Sequence, residues 1–101
     1  MRFFAASVVL ALGHLHSKGI LYRDLKPENL LRTAQRDVRI ADLGLCVKLV
    51  EGRTKGRAGT PGYMAPEVVS GEKYSFPSDW WSFGCMMYML ILGVNPFDRS
   101  E

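Results

Sequence analysis

The sequence predicts a mainly α fold with one small β-hairpin, and three stretches carry that expectation. Ala5, Val8, Val9, Leu12 and Leu15 recur at helical spacing. Leu30-Leu31-Arg32 and Val38-Arg39-Ile40 are short, partly alternating apolar runs, and Trp80 to Val94 is apolar almost throughout.

The first pattern gives a helix over residues 1 to about 17, with Gly19 after Ser17-Lys18 as its stop. His14 and His16 on it stand two apart, hence on different faces, with no neighbouring carboxylate or Cys cluster, so both read as packing histidines. The polar stretch Thr33 to Asp37 joins the two apolar runs into a hairpin. A long loop then leads to a second helix, started by Pro77 and Ser78, with Asp79 complementing its first turn and Gly93 ending it. That apolar run is shorter than the about 20 residues a membrane span needs, and it contains Ser82 and Gly84. It reads as a core helix that is apolar all round and expects neighbours on every side.

Composition sets looser bounds. The 101 residues could form one small domain, with 48% hydrophobic residues to build a core. The net charge of +3 comes from scattered Arg and Lys, which indicates a solvated surface and no nucleic-acid partner. Cys46 and Cys85 lack metal spacing and read as reduced, partly buried thiols, as suits the cytoplasm. The start Met1-Arg2-Phe3-Phe4 lacks the pattern of a signal peptide.

The chemistry concentrates in Tyr22-Arg23-Asp24-Leu25-Lys26-Pro27-Glu28-Asn29 and in Asp42-Leu43-Gly44. Transfer of a phosphoryl group to a hydroxyl asks a protein to position the nucleophile and to offset charge on the moving oxygens. Asp24 suits the first task as a base and Lys26 the second as a point charge; Asn29 and Asp42 offer the hard oxygens that Mg²⁺ prefers. Taken singly, Asp-x-x-x-x-Asn around Pro27 is an ordinary turn, and Asp-Leu-Gly after Val38-Arg39-Ile40-Ala41 is an ordinary strand end. Order and spacing together favour the chemical reading.

The first run resembles the catalytic loop of eukaryotic protein kinases, and Asp42-Leu43-Gly44 resembles their metal-binding Asp-Phe-Gly. Gly59-Thr60-Pro61-Gly62-Tyr63-Met64-Ala65-Pro66-Glu67 is similar to the peptide-positioning segment ending in Ala-Pro-Glu, and Ser78-Asp79-Trp80-Trp81-Ser82-Phe83-Gly84 to the start of the central helix. The likeness runs from residue 1 to about Phe97. It implies a partial large (C-terminal) lobe of the kinase α+β fold over residues 1–101, without the small lobe or the final helices. It also implies ATP and Mg²⁺ as cofactors and a protein Ser or Thr hydroxyl as acceptor.

By the same resemblance, Asp24 and Lys26 are catalytic; Asn29 and Asp42 hold metal; and Lys26, Glu28, Asn29, Leu31 and Asp42 bind the nucleotide, with Leu31 beneath the adenine. Asp24, Lys26, Glu28, Thr60, Pro61, Gly62 and Tyr63 face the substrate. Arg23, Gly44, Glu67 and Asp79 are structural or regulatory, Asp79 holding the catalytic-loop backbone. Glu67 would pair with an Arg of a later helix, and Trp80, Phe83, Met86, Met87 and Met89 would stand exposed in an isolated piece.

Tyr22, Lys26 and Gly59-Thr60-Pro61-Gly62-Tyr63 resemble the AGC group of serine/threonine kinases, and Leu43 in place of Phe resembles the G-protein-coupled-receptor kinases. Many AGC kinases carry a phosphorylated Thr four residues before Thr60, where this chain has Gly56, so Arg23 is expected to lack that partner. That points to switching by docking to a receptor or other partner, with a phosphate on Thr54 as the alternative route to Arg23. Such an enzyme would be cytoplasmic, or peripheral at a membrane through other segments. The competing expectation is a non-catalytic fragment or binding module without phosphotransfer of its own.

Overall fold

A computed structural model describes residues 2–32 and 38–95. The chain runs α1 (Arg2–Ser17), β1 (Ile20–Leu21), a 3₁₀ turn (Pro27–Asn29), β2 (Leu30–Arg32), β3 (Val38–Ile40), β4 (Val47–Lys48), α2 (Pro66–Val69) and α3 (Pro77–Leu92). Both predicted helices are present, and so is the hairpin: β2 and β3 pair antiparallel with Leu30 opposite Ile40 and Leu31 opposite Arg39. Its turn, Thr33 to Asp37, and Phe97 lie outside the described residues.

Three elements are not foreseen in the sequence. Ile20–Leu21 pairs antiparallel with Val47–Lys48, and α2 sits within the stretch read as loop. Strands of two residues and a helix of four are too short to show periodicity.

Gly19 ends α1 at φ +72, and Gly93 ends α3 in the left-handed region at φ +80, its N–H donating to the Met89 carbonyl at 2.7 Å. At its start, α3 has Pro77 in the first turn. Ser78 does not cap it; its hydroxyl turns back to the Ser75 carbonyl at 2.8 Å.

Val8 and Leu12 of α1, Tyr22, Leu25 and Met86 of α3 form one buried cluster, flanked by Phe83, Met87 and Leu90. Leu21, Ala65, Val68 and Tyr74 form a second. The run from Tyr22 to Asn29 thus lies between α1, α3 and the hairpin. Val9 is exposed although it shares the helical pattern, and Met86 is fully buried, against the expectation that it would be open. The apolar groups that α3 shows to solvent are Trp80, Tyr88, Ile91 and Leu92. Cys85 is buried outright and Cys46 half-buried. No helix among the described residues is long and apolar enough to cross a membrane.

Leu12 is completely buried at the centre of the first cluster, so Leu12→Ala is expected to destabilise by about 2–5 kcal/mol and Leu12→Met by less than about 1.5 kcal/mol. Denaturant unfolding of the two variants checks the contrast.

Candidate active site

The turn after β1 leaves regular structure at Arg23, whose φ of +73 is rare for a residue with a side chain. Its neighbourhood holds that turn in place. Asp79, in the first turn of α3, accepts the Tyr22 N–H at 2.9 Å on one carboxylate oxygen and the Arg23 N–H at 3.0 Å on the other. His16 Nε2 also meets the first oxygen at 2.9 Å. Since a carboxylate accepts and does not donate, the proton of that contact belongs to Nε2. Asp79 is only 1% exposed, and a carboxylate buried so deeply needs such partners.

His16 is therefore an Asp79 partner stacked near Phe76, more than a packing histidine, while His14 is exposed. Sequence separation hides the pairing, because the two stand 63 positions apart. Asp79 does more than complement the first turn of α3, since its oxygens reach across to another segment.

Asp24 follows directly. Its Oδ1 accepts the Thr60 hydroxyl at 2.9 Å and its Oδ2 the Asn29 side-chain amide at 3.0 Å; the same amide donates to the Asp24 carbonyl at 2.7 Å. Lys26 donates to the Thr60 oxygen at 2.8 Å and stands 4.0 Å from the Asp24 carboxylate. The cation thus reaches Asp24 mainly through Thr60. A carboxylate has about four lone-pair sites, so Asp24 is oriented by two donors and keeps capacity for another proton.

Asn29 ends the 3₁₀ turn, whose first turn also holds the exposed Glu28, and its carbonyl accepts the Ala41 N–H at 2.8 Å. This bond carries the backbone of Asp42 alongside Asn29. Asp42 is exposed at φ +55, and its Oδ1 accepts the Gly44 N–H at 3.3 Å. Among the described residues no group of three or more His, Cys, Asp or Glu is placed to hold a metal. One amide and one carboxylate oxygen fit Mg²⁺, which keeps waters and shares phosphate oxygens, better than a metal caged by protein alone.

Tyr22, at the position read as a departure from His, donates its hydroxyl to the Ala41 carbonyl. Burial above all, then the Asp24 charge, pushes its pKa well above the ordinary tyrosine value. Burial likewise raises the Cys46 thiol, which argues against a reactive cysteine beside Asp42.

The residues expected to face the substrate, Thr60 to Tyr63, form one turn: the Tyr63 N–H donates to the Thr60 carbonyl at 3.0 Å, Gly62 has φ +93, and Ser82 of α3 donates to the Tyr63 carbonyl at 2.6 Å. Pro61 is exposed. Gly59, a motif residue with no separate role in the sequence pattern, is a close approach: at φ +121, an added Cβ would lie 2.9 Å from the Arg23 carbonyl. Leu31 is 58% exposed on β2. Glu67 is half-buried and makes no salt bridge among the described residues.

Arg23, expected to lack a phosphate partner, is met by neutral oxygens. Its Nε donates to the Leu45 carbonyl at 2.7 Å and its Nη1 to the Tyr74 hydroxyl at 3.3 Å.

This constellation, a held Asp with a Lys, an Asn and a second Asp beyond a hairpin, matches a known class. The protein kinase domain family matches residues 1–101, and the chain belongs to that family. More narrowly, it is 57% identical over 97 residues to the G protein-coupled receptor kinase 2 of Drosophila melanogaster, covering 95% of this chain and 14% of that protein. To the G protein-coupled receptor kinase 1 of Caenorhabditis elegans it is 54% identical over 102 residues, 100% of this chain and 16% of the relative. The protein kinase C delta type of Mus musculus is 47% identical over 101 residues, 98% of this chain and 15% of the relative. The chain therefore spans only 14 to 16% of the length of these relatives.

Two outcomes test the geometry. Asp79→Asn puts an amide donor opposite one of the two backbone N–H groups that the carboxylate accepts, and should cost about 1–3 kcal/mol in unfolding free energy. Because the folded state keeps the Tyr22 proton above the tyrosine pKa of about 10 while the unfolded state releases it, stability should fall as pH rises past that value. Melting temperatures measured from about pH 9 to 11 should fall less steeply for Tyr22→Phe.

Proposed function

We propose that this chain is the part of a serine/threonine protein kinase's large lobe that carries its catalytic loop, metal motif, activation segment and central helix. The reading rests above all on the double anchoring of Asp24 by Thr60 and Asn29. Family membership and the receptor-kinase relatives support it.

In this reading Asp24 receives the proton of the substrate hydroxyl as that oxygen attacks the γ-phosphorus of ATP and the bond to the departing ADP breaks. Thr60 and Asn29 fix the carboxylate so that its remaining lone pairs are aimed before the substrate arrives. Lys26, held at Thr60, offsets charge on the transferred group. Asn29 and Asp42 would hold Mg²⁺, which when bound neutralises phosphate charge. Glu28 and Leu31 lie toward the nucleotide, Leu31 as the lower wall for the adenine of ATP. Pro61, Gly62 and Tyr63 shape the surface against which a Ser- or Thr-bearing peptide lies. Arg23, Gly44, Glu67 and Asp79 act through the backbone and loops they hold.

The small lobe and the final helices belong, in the same reading, to parts of the protein other than these residues. The same reading makes the protein a cytoplasmic enzyme switched by docking to a receptor or other partner, and the words G protein-coupled receptor kinase in the relatives' names favour a receptor. Leu31 at 58% exposure favours a companion inference, that the 101 residues alone transfer little phosphate, because the adenine wall is open.

In the full-length protein, Asp24→Asn should lower kcat for peptide phosphorylation by roughly 10²–10⁴-fold with little change in ATP binding. Wild-type turnover by that variant would sink the assignment of Asp24, and ATP-dependent phosphorylation by the isolated chain, lost on Asp42→Ala, would refute the companion inference.

A further inference from the structure

Gly56 has no hydroxyl to carry a phosphate, yet the segment around it is bound to Arg23 through Tyr74. Tyr74 is 4% exposed and packs with Leu21, Ala65 and Val68. Its backbone N–H and carbonyl both pair with Thr54, at 2.9 Å each, as an isolated β-bridge. Its hydroxyl accepts from Arg23 Nη1 at 3.3 Å and donates to the Gly56 carbonyl at 2.5 Å. A hydroxyl serves both ends of such a relay because it accepts and donates at once.

The other end of the same segment also lies on Arg23, since the Gly59 α-carbon sits against the Arg23 carbonyl so closely that a Cβ would clash at 2.9 Å. Gly56 and Gly59 have φ of +116 and +121, conformations that glycine adopts without strain. Between these anchors and Asp24 there remains one step, to Thr60, whose hydroxyl touches the Asp24 carboxylate. Arg23, moreover, makes no ion pair with a carboxylate among the described residues, and its guanidinium is occupied by neutral oxygens of Leu45 and Tyr74.

We infer that Tyr74 is a positioning residue: its hydroxyl ties Arg23 to the Gly56 carbonyl and so sets the activation segment, and through it Thr60, against Asp24 without a phosphate. The inference rests on the kinase reading for its catalytic consequence but not for the tether itself. A fixed segment keeps the Thr60 hydroxyl on Asp24, so loss of the tether acts on the phosphoryl-transfer step and leaves the nucleotide side, Leu31 and Asp42, untouched.

The test uses the full-length protein and its Tyr74→Phe variant, which keeps the ring in the core and the backbone bridge to Thr54. Hydrogen exchange in a peptide covering residues 55–59 should quicken by about tenfold, as expected for one lost tether, while peptides covering residues 5–15 exchange as in the wild type. For peptide phosphorylation, kcat should fall several-fold with KM for ATP unchanged, a split that general loosening of the fold would not give. Arg23→Gln should speed the same exchange from the other end of the relay and provides the reading should Tyr74→Phe fold poorly. The double variant should exchange no faster than Arg23→Gln alone. Unchanged exchange in both single variants, or multiplying effects in the double variant, overturns the inference. Because exchange needs no turnover, a failure of the kinase reading would appear separately, as phosphotransfer insensitive to Asp24→Asn.

Discussion

The grip of the Asp79 carboxylate on two successive backbone amides is the constraint from which the rest of the site follows. Tyr22 and Arg23 present their N–H groups to one carboxylate because Arg23 has turned into the left-handed region. That conformation costs of order 1–3 kcal/mol for a residue with a side chain and persists only where surroundings enforce it. Here a buried charge enforces it, and the amides in turn supply what a buried charge requires. His16 adds a third partner and links α1 to the same point. Asp24, the next residue along, is thereby fixed relative to α3 before any of its own contacts are considered.

Those contacts are organised around oxygen donors and acceptors more than around ion pairs. Lys26 and Asp24 stand 4.0 Å apart, yet each is closer to the Thr60 hydroxyl. A direct ion pair would tie the carboxylate to the cation; the intervening hydroxyl keeps both available, as the proposed phosphoryl transfer needs, and sets the spacing. The stretch from Gly59 to Tyr63 is thus part of the site's structure, and the backbone clearance at Gly59 is what admits it.

Residues near in sequence made much of this legible. The spacing from Asp24 to Asn29 within one turn, the hairpin leading to Asp42, and the helix stops at Gly19 and Gly93 are local patterns, and each has its counterpart in the fold. Asp79's hold on the loop was expected through family resemblance alone, since no local pattern joins residues 57 apart. Tertiary approach decided the remainder. His16 looked inert because its partner lies 63 residues on, and Tyr74 went unnoticed because a single tyrosine in a polar stretch has no periodicity. Met86 is expected to be open for want of later helices, yet Tyr22 and Leu25 cover it, because an apolar helix does not say which side the loop occupies.

The same geometry explains why site and core are one stability problem in this chain. Tyr22 and Leu25, on either side of Arg23 and Asp24, are buried with Leu12 and Met86, so the strained turn is held by the packing of α1 on α3 as well as by hydrogen bonds. Apolar burial contributes about 25 cal/mol per Å² removed from water, and that is the term available to offset strain at Arg23 and Asp42. On its outer side α3 still shows Tyr88, Ile91 and Leu92 to solvent, which adds nothing to that term. Loosening α3 would therefore release Asp79 from the Tyr22 and Arg23 amides first, and Asp24 would lose its direction while the local sequence that defines it stayed intact.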